Sequence, residues 1–257
     1  RLRQLNNDVI KEILKSEAFN IQNHLFLDKI CRVSKGNARI AVMAGMLAVE
    51  KNDLNCLNDV SAIYDNYFES IVFEIEELKK DILIKALGII SYFHVIRYEN
   101  DEFIQKLGKT FDIDISELKE ALYELYQMEL VDFFEDQVVK ISDQVLSTYF
   151  FYKVFIKDKR LEFGLLLDKF YLDHKSKMTK AILPVINTFG YENILSKINS
   201  DVKRKWKEIE KDETEVFDYI RVFWPFIKTD VLIYIGKLIE NEDFLEYTDD
   251  EYICCQL

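Results

Sequence analysis

The chain has 257 residues, 49% of them hydrophobic, with 34 Lys and Arg against 46 Asp and Glu for a net charge of −12. That length and apolar content support a real core, and the share of charged and aromatic residues excludes a disordered chain. The longest strongly apolar stretch, Ile82 to Val95, is broken by Lys85 and His94 and falls short of the roughly 20 residues a bilayer demands.

Only 7 Gly and 2 Pro leave few turn and breaker residues, so helices with short links are expected rather than a sandwich or barrel. The sequence opens on Arg1 without a signal-peptide pattern, and it reads as a piece of a longer protein. Cys31 and Cys56 stand alone, and Cys254 and Cys255 are adjacent with no histidine pair nearby. Reduced thiols, no zinc and a cytoplasmic location are the expectation.

The acidic excess is uneven. Residues 1–60 carry nine basic and seven acidic side chains, residues 61–150 eight and nineteen, and residues 151–257 seventeen and twenty. Phosphate backbones repel a middle segment of that kind.

In chain order, Asn6-Asn7-Asp8 are capping candidates for a helix bearing Val9, Ile10, Ile13 and Leu14. A second helix runs from about Asn23 to Lys35-Gly36, where a basic last turn and a glycine suit a C-terminal cap. Asn37 caps a third helix from Ala38 that ends by Asn52-Asp53. Residues 1–60 therefore read as a small helical bundle. A long helix is expected from Glu76 to about Arg97, then one at Asp101–Lys109 behind Asn100, and one behind Asp114 or Ser116 with Leu118, Ala121, Leu122 and Leu125 inward. The period then changes from 3.6 to 2. Leu130–Phe134, the turn Glu135-Asp136-Gln137, and Val138–Ile141 read as a β-hairpin.

Three helices followed by a hairpin is the order of a winged helix-turn-helix. Asp143 to Phe155 returns to helix. Beyond Arg160, helices are expected near Leu161–Tyr171, Lys177–Thr188, Tyr191–Ile198, Val202–Ile209, Thr214–Phe223 and Thr229–Glu240. They suggest a solenoid-like array without a self-similar repeat. The fold class is mainly α: a helical bundle over 1–60, a winged helix over 61–155, and a helical array over 156–257.

The strongest local signal is Ser34-Lys35-Gly36-Asn37-Ala38-Arg39-Ile40-Ala41. Amides and the dipole at a helix N-terminus favour phosphate, and Arg39 in the first turn extends a fork-like donor the same way. The bland alternative is a glycine stop and an asparagine cap between two helices, with Arg39 solvated. The segment resembles the "sensor 2" stretch of AAA+ and STAND ATPases, where Gly-Asn-x-Arg opens a helix of the lid over the nucleotide. The order of bundle, winged helix and helical array is similar to that of bacterial STAND proteins, including many in phage defence. Ile141 to Phe150 looks like their post-wing segment.

That resemblance implies a lid over 1–60 in which Arg39 senses the γ-phosphate while Gly36 and Asn37 set the helix start. It also implies ATP or ADP with magnesium in the parent protein, an upstream nucleotide-binding domain as partner, a protein ligand on the array, and homo-oligomers. The chain itself holds no Gly-x-x-x-x-Gly-Lys-Ser/Thr loop, and Tyr247–Glu251 has acids without the apolar strand that would precede a magnesium carboxylate. The fragment is therefore expected to be non-catalytic, with no cofactor of its own. The alternatives are a stand-alone helical protein-binding scaffold and a DNA-binding regulator.

Against DNA, the outward positions of the would-be reading helix are Glu117, Lys119, Glu120, Glu124 and Gln127, with Glu135-Asp136 at the wing tip. His24, His94 and His174 follow no ligand spacing, and Glu74–Glu77 and Asp212-Glu213 read as helix-end charges. The Tyr149–Phe155 aromatics read as core. Lys203-Arg204-Lys205-Trp206-Lys207 reads as a solvated helix face, because Glu208, Glu210 and Asp212 follow at once.

Overall fold

The computed structural model describes residues 5–240 except 79, 136, 142 and 213, and the side chain of Asp101 is also outside the description. Arg1, Asp136, Ser142, Glu213, Tyr247–Glu251 and Cys254-Cys255 thus lie outside the described residues. The fold is mainly helical with one small antiparallel sheet. No helix among the described residues is long and apolar enough to cross a membrane.

The first helices follow their capping signals. Helix α1 (Asn7–Lys15) starts where Asn6 accepts from the Val9 amide, and α2 (His24–Ser34) where Asn23 accepts from Leu25. Helix α3 (Ala38–Lys51) ends at Asn52, in the left-handed region with φ 46°. After a 3-10 turn at Leu54–Leu57, α4 (Val60–Tyr67) begins under the Asp59 carboxylate and α5 (Glu69–Glu77) follows. The sequence pattern predicts no helix over this last stretch, residues 60–75. Asp59 and Glu69 are its start signals, and Ile63, Tyr64 and Ile75 its buried side.

The single long helix expected from Glu76 is corrected to three elements. Helix α5 stops at Glu77, α6 (Asp81–Phe93) restarts at Asp81, and Val95–Arg97 is strand β1. The change of direction occurs at His94, whose φ of 58° ends α6 and lets the chain enter the sheet. Helix α6 is the central rod of the molecule, with every residue from Ala86 to Phe93 buried.

Helix α7 (Asp101–Phe111) is capped by Asn100, and α8 (Ile115–Gln127) by Asp114 rather than Ser116. Strands β2 (Asp132–Phe134) and β3 (Val138–Lys140) form the expected hairpin. The strand order is β1-β3-β2, pairing Ile96 with Val139 and Val139 with Phe133. The inward residues Ile96 and Val139 are fully buried, as a period of two requires.

Helix α9 (Gln144–Phe151) packs along α6 and widens into a π-helical turn at Tyr152–Lys157. Then come α10 (Phe163–Phe170), α11 (Lys175–Phe189) and α12 (Tyr191–Ile209). The two helices expected at Tyr191–Ile198 and Val202–Ile209 are one. Ile194, Ile198, Val202, Trp206 and Ile209 continue a single buried stripe through Asn199-Ser200-Asp201, and burial overrides those weak helix formers. Helices α13 (Val216–Phe223) and α14 (Lys228–Glu240) close the described chain.

Candidate functional site

The Ser34–Arg39 segment builds one wall of a large cleft. Lys35 leaves α2 with φ 47° while its amide returns to the Cys31 carbonyl at 3.2 Å. Gly36 follows with φ 83°, a conformation that favours glycine over any side chain. The Asn37 amide closes the turn on the Ser34 carbonyl at 2.8 Å, and the Leu5 amide caps the Gly36 carbonyl at 2.9 Å. Asn37 Oδ1 then accepts from the amides of Arg39 at 3.0 Å and Ile40 at 3.3 Å. Gly36 and Asn37 therefore fix the backbone, and the Asn37 oxygen is committed to α3. Arg39 is exposed and makes no ion pair with a described residue.

The cleft that Arg39 faces has a volume of ≈ 1700 Å³. The α2–α3 turn and the start of α4 form its near side, and α9, the end of α11 and the start of α12 form its far side. Among the described residues five basic side chains line it, Arg32, Lys35, Arg39, Lys157 and Lys197, against the single carboxylate of Asp59. Asp59 is used by the Ala62 amide at 2.8 Å, and Lys157 is paired with Asp65. A cleft this basic in a chain of −12 is a local field of opposite sign to the whole molecule, and low-dielectric walls concentrate such a field.

Aromatic packing shapes the far side. Tyr152 stacks on Phe189 with ring centroids 3.9 Å apart and planes at 15°. Phe189 in turn meets the edge of Tyr64 at 5.1 Å. Burial raises the Tyr64 hydroxyl to about 12, so it stays protonated at neutral pH. Tyr149 donates to Asp65 at 3.0 Å, which joins α4 to α9 through the carboxylate that also holds Lys157.

The far wall was not legible in the sequence. Tyr152 and Lys157 come from the π-helical turn and Asn193 and Lys197 from α12, and no local motif links them to Arg39. The aromatic run offered the one available signal, since a buried tyrosine hydroxyl needs a partner.

A second cavity of ≈ 430 Å³ lies between α6, α9 and α11. Ser147 donates to the Ser91 carbonyl at 3.1 Å, and its oxygen lies 3.5 Å from His94 Nδ1. His174 contacts the rings of Phe93 and Phe103 edge-on, and His24 is exposed at the start of α2. No three His, Cys, Asp or Glu residues among those described could hold a metal ion. Cys31 and Cys56 are buried free thiols, and burial raises both.

The basic run on α12 is consumed by structure. Lys205 is buried and paired with Glu208, Arg204 with Asp168 at 2.9 Å, and Trp206 is 2% exposed. The reading of that run as a solvated face is corrected at Lys205 and Trp206, which face the core. Glu76 meets Arg160 at 3.0 Å at the C-terminal end of α5, and Asp212 accepts from the Thr214 amide at 3.1 Å in the turn that precedes α13. On α8 the exposed side chains are Ser116, Glu117, Glu120, Tyr123, Tyr126 and Gln127. Comparison with family models, curated proteins and solved structures gave no match.

Proposed function

We propose that this chain is the regulatory portion of a STAND-type ATPase, with residues 1–60 as lid, 61–155 as winged helix and 156–257 as the start of a helical sensor array. The single observation that carries the reading is Arg39. Its guanidinium stands in the first turn of α3, on the wall of a basic cleft, with no carboxylate partner among the described residues. A cation kept free beside a helix N-terminus suits a phosphate delivered by another domain.

The order of α6, β1, α7, α8, β2 and β3 supports the winged-helix assignment, and the exposed carboxylates of α8 favour packing over duplex binding. In this proposal the phosphate loop and the magnesium carboxylate belong to an upstream domain. Nucleotide shifts the lid between two states only through its unequal affinity for them. The assembled state is a homo-oligomer in signalling or defence.

The test is Arg39→Ala in the full-length protein. Loss of ATP-dependent assembly and hydrolysis with normal folding is expected, and unchanged values overturn the sensor role.

A second reading, a helical protein-binding scaffold, is favoured by α14, where Leu232, Ile233 and Ile239 are all more than half exposed. Sequencing the coding region upstream of Arg1 separates the two. A phosphate loop there supports the ATPase portion, and its absence leaves the scaffold.

A further inference from the structure

We infer that the rim between α8 and the sheet is a docking surface for a basic polypeptide segment, which lays an apolar side chain and a lysine or arginine on Tyr98, Tyr123, Tyr126 and Phe133. The four rings form one continuous patch. The Phe133 centroid lies 5.4 Å from that of Tyr98, 6.2 Å from Tyr123 and 5.2 Å from Tyr126, and the two α8 tyrosines are 6.2 Å apart. Tyr123 is 55% exposed and Tyr126 43%, while Tyr98 and Phe133 are partly buried against the core. The patch therefore has a fixed floor and an open top. Tyrosine is cheap to immobilise and is enriched among the residues that carry interface energy.

The sheet register decides which charges share this face. Ile96, Val139 and Phe133 stand side by side across the three strands, and the Phe133 ring reaches α8. Arg97 and Lys140 alternate to the opposite face, where Lys140 lies 6.0 Å from the Phe134 ring centroid. Carboxylates remain on the α8 rim. Glu120 lies one turn before Tyr123, Glu117 one turn before that, and Glu129 just past the helix end. All three are exposed, and none makes an ion pair with a described residue. Lys119 is held 5.4 Å from the Tyr98 ring centroid. The patch thus already carries a cation on one ring, and Tyr123 and Tyr126 offer two more rings of the same kind.

Charge selects the occupant. Residues 61–150 hold nineteen acidic side chains against eight basic ones, so a phosphate backbone or an anionic bilayer is repelled. A second copy meeting this face about a twofold axis would set its carboxylates against their own counterparts. A segment rich in Lys and Arg instead meets carboxylates at the rim and rings at the centre, the polar edge and apolar middle of an ordinary interface. The surface does not use the Arg39 cleft and does not depend on the ATPase reading.

The test is anisotropy of labelled synthetic peptides titrated with this chain in about 0.15 M salt, where the Debye length is about 8 Å and general attraction is screened. The probes are an amphipathic peptide of leucine and lysine, the same peptide with glutamate for each lysine, and oligolysine. Saturable binding of the leucine–lysine peptide is expected, with the glutamate peptide unbound and oligolysine about tenfold weaker. The double variant Tyr123→Ser, Tyr126→Ser weakens the leucine–lysine peptide about tenfold, and Glu120→Lys about threefold. Phe217→Ser, at a ring 52% exposed on α13, leaves it unchanged. Circular dichroism checks that each variant is folded. No saturable binding, equal binding of either control peptide, or wild-type affinity in the double variant or in Glu120→Lys overturns the proposal. Sedimentation of the chain alone supplies the last arm. Self-association that the double variant abolishes overturns the proposal too, because the face then belongs to a second copy.

Discussion

Gly88 on α6 meets Val154 in the π-helical turn so closely that a β-carbon at position 88 would lie 2.5 Å from the Val154 Cβ. Val154 is fully buried, so it has no solvent to move into. Gly88→Ala is therefore expected to cost about 1–3 kcal/mol through overpacking, against the small gain alanine brings to an ordinary helix. Urea unfolding followed by circular dichroism measures it, and an unchanged or raised midpoint contradicts the contact between α6 and the π-helical turn.

Asn37 is the hinge of the near wall. Removing its Oδ1 in Asn37→Ala leaves the Arg39 and Ile40 amides without their acceptor and is expected to cost about 1 kcal/mol. Asn37→Asp keeps an acceptor and should recover most of the loss. If thermal unfolding shows alanine and aspartate variants equally stable, the cap is not what starts α3.

The histidines set an acid sensitivity. Burial lowers the His94 pKa, with Lys177 and Lys180 adding repulsion, and burial followed by Lys177 lowers that of His174. The unfolded chain then binds these protons more readily than the folded one. Their effect is absent well above the ordinary value of 6.5, and stability falls as pH drops below it. Urea midpoints at about pH 7.5 and about pH 5.5 should differ in that direction, and His94→Gln should narrow the gap. An identical gap in the variant removes His94 as a contributor.

Arg160 holds the break between α5 and α6. Its guanidinium meets Glu76 at 3.0 Å, pairs with Asp81, and lies 3.7 Å from Asp158. Glu76 and Asp81 are about half exposed, so Arg160→Ala is expected to cost only about 1 kcal/mol. The cost should shrink in about 1 M salt, where the Debye length is roughly 3 Å. A loss that salt does not change points to packing by the arginine stem instead.

The legible parts of the fold were those with local chemistry. Asn6, Asn23, Asn37 and Asn100 each announced a helix start, and the alternation through Phe133 and Val139 announced the hairpin. Strand β1 was hidden because Val95 and Ile96 continue the apolar composition of α6, and only pairing with β3 makes them a strand. The join at Asn199-Ser200-Asp201 misled for the converse reason: poor helix formers survive where Ile198 and Val202 are fully buried on either side. At the candidate site Arg39 was visible from its capped turn. Tyr152 and Lys197 were not, because their proximity depends on how α9 and α12 pack.

The place of β3 between β1 and β2 bears on how the molecule can come apart. The Val95–Lys140 and Arg97–Val138 registers fence α7 and α8 inside a loop whose two ends are stitched together. Opening that seam frees both helices at once, so the two are expected to open as one cooperative block, with amide exchange rates that rise and fall together.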